Sequence, residues 1–146
     1  MRAADISDQV LEDNLLTIIE EQTHKKGCAY TRVLSIELFN AFRITWDNRS
    51  EGDIIYKRAK EMLPRLIRRG DVENLARPGR EGQWVTPEAR RVYNVERARI
   101  GDLKTRIREE LRRRNIKWEH VGARDVMALH YDELAKLLDL DTGKQT

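Results

Sequence analysis

Tyr56, Lys57, Lys60, Arg65, Arg68, Arg77 and Arg80 stand within 25 residues of one another, with Arg49 a little upstream. Ammonium and guanidinium groups hold phosphate oxygens through charge-assisted hydrogen bonds, and a tyrosine among them adds a flat ring with a polar tip. The chemistry on offer is recognition of a polyanion. Its local concentration is marked: residues 50–114 hold 18 Lys and Arg against 11 Asp and Glu. Residues 1–49 hold 6 against 8, and residues 115–146 hold 4 against 6. The net charge of +3 therefore conceals a strongly basic centre between mildly acidic ends, the footprint expected for a nucleic-acid partner. Glu51, Asp53 and Glu61 interrupt it and weigh against that reading.

Other chemistries lack their residues. His24, His120 and His130 lie far apart, and none neighbours a nucleophile. His24 and Cys28 share a ligand-like spacing, but a zinc site needs four ligands and the rest of the set is missing. The chain contains neither a Walker loop nor a dinucleotide fingerprint. Charged residues form 36% of it, in mixed runs that read as solvated helical faces. The expectation is a binding protein, not an enzyme, with no metal and no cofactor. Cys28 is the only cysteine, which excludes an internal disulfide and suits a reducing cytoplasm. No apolar run approaches the roughly 20 residues of a membrane span, and the start lacks the basic-then-apolar pattern of a signal peptide.

The elements that must carry these cations follow from spacing. Ile55, Ala59, Met62, Leu63 and Leu66 recur at helical intervals and form one apolar face, which Lys57, Lys60 and Glu61 oppose. Ser50 and Asp53 fit a capping box at the start, and Gly70 fits a left-handed C-terminal stop. Pro64 removes an internal hydrogen bond, so the helix must kink there or end near Met62 and restart. Either outcome aims Arg65, Arg68 and Arg69 away from Lys57 and Lys60, while Arg58 falls at the core edge. Val72 and Leu75 read as a strand, residues 77–82 as a turn with Arg77 and Arg80 flanking Pro78-Gly79, and Trp84-Val85 as the returning strand. Thr86-Pro87 opens a helix that runs to about Asn115.

Upstream, residues 1–5 read as frayed. Val10, Leu11, Leu15, Ile18 and Ile19 define an amphipathic helix over Ser7–Thr23, with Asp8, Glu12, Asp13, Glu20 and Glu21 on its outer side. Tyr30–Val33 reads as a short strand, and Ser35 as the cap of a helix to Arg43 that buries Leu38, Phe39 and Phe42. A loop over Ile44–Arg49 follows, with Trp46 as a core anchor beneath it. Downstream, Ile100, Leu103, Ile107 and Leu111 form a narrow apolar stripe on the long helix. That stripe reads either as a homodimer seam or as the seat of residues 116–140 folding back. The tail carries Ile116, Trp118, Val121, Val126, Met127 and Leu129, then a short helix over Asp132–Leu138 with Leu134, Leu137 and Leu138 apolar. Residues 141–146 read as disordered.

The order helix, hairpin with a basic tip, helix resembles the recognition helix and wing of the winged helix-turn-helix superfamily, with MarR-like and PadR-like regulators as the nearest shapes. The matching positions are Leu63, Leu66, Gly70 and Val72, then Thr86, Pro87, Glu88 and Arg90. The resemblance spans about Ser7–Leu111, and the loop before the recognition helix is longer than in a minimal helix-turn-helix. It implies a mainly α fold with a small β-hairpin wing over residues 7–91. A long C-terminal helix over 87–115 and a short helical tail over 116–140 complete it. It also implies a dimeric transcriptional regulator of double-stranded DNA. Tyr56, Lys57 and Lys60 would then face bases, Arg77 and Arg80 the minor groove or phosphates, and Arg49, Arg65 and Arg68 would add basic contacts. Ile100, Leu103, Ile107 and Leu111 would dimerise. The competing expectation is a winged helix used for protein binding or assembly, without specific DNA binding.

Overall fold

A computed structural model of the chain describes residues 2–44, 48–117 and 128–144, of which 128–130 by their backbone only. It is mainly helical with a small three-stranded antiparallel sheet. The chain divides into two compact units, residues 1–93 and 94–146. Trp46, Trp118, Val121, Val126 and Met127 lie outside the described residues.

The first unit is built from α1 (Asp8–Lys26), β1 (Ala29–Tyr30), α2 (Thr31–Ala41), α3 (Arg49–Arg68), β2 (Glu73–Asn74), β3 (Gln83–Val85) and the start of α4 (Pro87–Arg113). Leu11, Leu15 and Ile19 of α1, Leu34 and Leu38 of α2, and Ile55, Met62, Leu63 and Leu66 of α3 form its core, closed by Val72. Val10, assigned to the apolar face of α1, stays exposed, and Phe39 and Phe42 are only partly buried. β3 is the central strand, pairing Trp84 with Ala29 on one side and with Asn74 on the other.

Local chemistry explains the helix ends. Ser7 caps α1 by accepting from the Val10 N–H at 3.1 Å. Gly27 ends it at φ +90, where a side chain would strike Tyr93 and Arg90. Gly70 ends α3 at φ +81, and the Asp71 N–H donates back to the Leu66 carbonyl at 3.0 Å. The start of α3 corrects the capping-box reading: Asn48 accepts from the Glu51 N–H, and Ser50 lies inside the helix. Glu51 is thereby aimed at the Ala3 N–H, which donates to its carboxylate.

Residues 3–5 are correspondingly not frayed. They form a 3₁₀ turn that buries Ala3. Arg58 completes the clasp, donating to the Ala3 carbonyl at 2.7 Å and to Asp8 at 2.8 Å. Glu12 is a second correction, since it is buried rather than outward. Its carboxylate lies 2.5 Å from the Arg69 guanidinium at the end of α3. That guanidinium is raised above its ordinary pKa, first by its hydrogen bond to Asp71 and then by the one to Glu12.

α3 also runs unbroken through Pro64. The proline is exposed, and the Lys60 carbonyl that it cannot bond sits on an exposed turn, where water can take the place of the missing N–H.

The second unit consists of the rest of α4 and α5 (Ala128–Leu137). Leu103, Ile107 and Leu111 pack on Tyr131, Ala135 and Leu138, with Ile100, Leu134 and Leu140 at the edges. Of the two readings of the stripe, a dimer seam or the seat of the tail, the fold shows the chain's own α5 covering Leu103, Ile107 and Leu111, with Ile100 at the edge. Leu137, placed on the apolar side by spacing, is 79% exposed. Asn115 takes φ +61 after α4 and lets the Ile116 N–H reach the Leu111 carbonyl at 2.8 Å.

The segment after α5 is anchored rather than disordered as far as residue 144. Arg114 donates to the Leu138 carbonyl, Arg106 to that of Asp141 and Arg99 to that of Thr142. Arg99 also grips Asp132 through two hydrogen bonds of 2.7 and 3.1 Å. The hydrogen bond from Arg99 holds the Asp132 carboxyl below the usual carboxylate range. A carboxyl depressed in the fold adds stability that is complete above its unfolded pKa of about 4 and is lost as pH falls through the folded value. Residues 94–144 should therefore lose helicity on acidification below about pH 4. Asp132→Asn should weaken that dependence, which Glu96 and Glu110 share through their own arginine partners. It should also lower stability at neutral pH by about 1–3 kcal/mol, because Arg99 loses one of its two carboxylates. Urea titrations followed by circular dichroism at several pH values check both effects.

Candidate nucleic-acid interface

The basic tip of the hairpin is a compact turn. Pro78 and Gly79 occupy its centre, Gly79 has φ +80, and the Arg80 N–H donates to the Arg77 carbonyl at 3.1 Å. These are the marks of a type II turn, in which proline sets the first central residue and glycine accepts the positive φ of the second. Arg77 and Arg80 therefore bracket the tip, and both are exposed. Behind them the Asn74 side-chain oxygen accepts from the Ala76 and Gln83 N–H groups, each at 3.0 Å. Val72 is buried just before β2, and Leu75 lies just beyond it and is exposed.

The hairpin is fastened to the start of α2. That helix has no side-chain cap of its own, for Tyr30 precedes it. Its unpaired amides are met from some 50 residues away: Gly82 accepts from the Thr31 N–H at 3.3 Å, and the Glu81 carboxylate from the Arg32 N–H at 3.0 Å. The negative charge of Glu81 also sits well against the positive end of the helix. The Trp84 indole N–H donates to the Thr31 hydroxyl at 3.0 Å. Gly82 makes room for that indole, since a Cβ there would collide with it. This arrangement corrects the upstream reading: β1 ends at Tyr30, α2 begins at Thr31, and Ser35 is an interior residue bonded to the Thr31 carbonyl.

α3 presents its polar residues in two directions. Tyr56, Lys60, Pro64 and Ile67 line a groove of about 780 Å3 together with α2 and the hairpin, and Arg80 enters it from the tip. Lys57, Arg65 and Arg68 are exposed outside that groove, and Arg49 is the exposed first residue of the helix. Arg77 borders a smaller depression beside Tyr30, Leu75 and Gln83, which Arg80 also lines. Tyr56, Lys60 and Arg80 are thus brought together, while the other expected contacts are spread around them. Spacing overlooked Arg32, Glu81 and the Thr31–Trp84 bond. A lone arginine and a lone glutamate carry no periodic signal, and only the pairing of β1 with β3 makes them neighbours.

The ionic partners sort in the same way. Arg58, Arg69, Arg91, Arg99, Arg106, Arg113 and Arg114 each pair with a carboxylate. Among the described residues, Arg49, Lys57, Lys60, Arg65, Arg68, Arg77 and Arg80 have no such pair. Lys60 instead lies over the Tyr56 ring, 5.3 Å from its centre. No three His, Cys, Asp or Glu side chains gather as a metal site among the described residues. No helix there is long and apolar enough to cross a membrane. Comparison with protein-family models, curated proteins and solved structures finds no match to this chain.

Proposed function

We propose that residues 1–93 are a winged helix-turn-helix that binds double-stranded DNA, with α3 directed at the major groove and the hairpin tip at the minor groove or the phosphates. The element order and the sheet order β1-β3-β2 support the reading. What carries it is the distribution of unpaired cations. Among the described residues seven of them sit on α3 and the hairpin tip, exposed and without a carboxylate partner, whereas Arg58 within α3 and Arg69 just after it are engaged. Solvated cations gathered on one helix and one rigid turn contribute affinity through released counterions. Lys57, Arg65 and Arg68 would contact the duplex from the outer side of α3, and Arg77 and Arg80 from the tip. Glu61 and Asp53 would disfavour some positions and so add discrimination.

The test is a paired salt titration of the unmodified protein and Arg77→Ala/Arg80→Ala on one duplex. Both side chains are exposed and unpaired, so the fold should persist. Affinity should fall, and the slope of log K against log salt should become shallower by about 0.9 for each phosphate that the variant no longer neutralises. Equal affinities and equal slopes would remove the hairpin tip from the interface and favour a protein-binding role. A chain that binds no duplex even at low salt would end the DNA reading.

A further inference from the structure

The groove beside α3 has a character that phosphate binding does not call for. Its floor is Phe39, Leu63 and Trp84, and Ile36, Pro64 and Ile67 form its walls. Ile36 and Ile67 are 38% and 41% exposed, so large apolar side chains meet water around a single concavity. Several of the neutral polar groups nearby are already engaged. The Trp84 N–H donates to the Thr31 hydroxyl, the Ser35 hydroxyl to the Thr31 carbonyl, and the Asn74 oxygen accepts two amides. Glu81 is turned to the Arg32 N–H. The charged capacity left over belongs to the cationic heads of Arg32, Lys60 and Arg80, none of which is paired with a carboxylate among the described residues, and the Tyr56 hydroxyl and Asn74 amide add neutral donors beside them.

An apolar floor with surplus positive charge at its edge selects a ligand with the converse layout. We propose that this groove binds an amphipathic carboxylate, its hydrocarbon body on Phe39, Leu63 and Trp84 and its carboxylate held by Lys60, Arg80 and Arg32. The volume of about 780 Å3 falls within the range of small-molecule sites. The wall from Tyr56 to Ile67 is about 16 Å long at helical rise, which accommodates an extended chain rather than a single small ring. A bare phosphate or a duplex backbone would leave the floor wet. The site shares Lys60 and Arg80 with the DNA reading but is tested separately from it, because ligand binding is measured on the free protein without a duplex.

The experiment is a titration of the 15N-labelled full chain with decanoate and, separately, with decyltrimethylammonium, which has the same chain and the opposite charge. Decanoate should bind saturably and shift the amides of residues 31–39, 56–67 and 80–84. Decyltrimethylammonium should bind at least about tenfold more weakly, since it loses charge-assisted hydrogen bonds and meets like charge. Lys60→Gln/Arg80→Gln should keep the spectrum dispersed and weaken decanoate by about tenfold or more. Ile67→Glu, which adds a carboxylate at an exposed wall position, should abolish binding independently of those two residues. Equal binding of the two probes, shifts that map to another surface, or no saturation below the micelle concentration of decanoate would each overturn the proposal.

Discussion

Ile107→Lys is expected to unfold residues 94–144 while leaving residues 1–93 folded. Ile107 is fully buried midway along the stripe of Leu103 and Leu111, facing Ala135 and its neighbours on α5. Truncating such a residue costs about 2–5 kcal/mol through reduced burial and the cavity left behind. A lysine adds the desolvation of an ammonium group with no facing carboxylate among the core residues, raising the cost to at least about 4 kcal/mol. A unit of some 50 residues has little stability to spare against a loss of that size. Trypsin digestion with mass analysis reads the outcome, because the arginines of α4 become cleavable once α5 detaches. Far-ultraviolet circular dichroism should show a partial loss of helix. If the variant kept its full helicity and light scattering showed only a change from dimer to monomer, the stripe would be a seam between copies after all.

Leu66→Ala should lower the stability of the first unit by about 2–5 kcal/mol. The side chain is completely buried on the inner face of α3, and it belongs to the core shared with α1, α2 and Val72. Its site cannot readily collapse, because both ends of that face are tied down. Arg58 clasps Ala3 and Asp8 toward one end, and Arg69 reaches the buried Glu12 at the other. A cavity between two tethers relaxes little, so the cost should lie in the upper part of that range. A urea midpoint unchanged from the parent chain would mean that α3 turns a different face inward.

Both predictions rest on patterns that reading along the chain can find. Ile55, Ala59, Met62, Leu63 and Leu66 are all buried, and Leu103, Ile107 and Leu111 form one inner face. A helical repeat is a local property, and the chain buries whichever stripe it presents. The stop at Gly70 and the turn around Pro78-Gly79 were equally legible, because a positive φ or a fixed φ selects its residue without help from elsewhere.

The misplaced features depend on residues far apart in sequence. Thr31 begins α2 because Glu81 and Gly82 supply the cap that Tyr30 lacks. Ala3 is ordered because Glu51 and Arg58 hold it, and Glu12 is buried because Arg69 reaches it. The stripe on α4 could be read as a dimer seam or as the seat of the tail, since an apolar face specifies that it will be covered but not by what. The sequence by itself determined most of the helical segments, most of their apolar faces and that the basic residues cluster at the centre. Only the tertiary structure decided which cations stay unpaired, that α5 covers the stripe on α4, and that Tyr56, Lys60 and Arg80 share one groove. The physical reason is range: backbone preference and periodicity act over a few residues, whereas an ion pair, a cap supplied from another element or a groove wall requires residues that only the folded chain brings together.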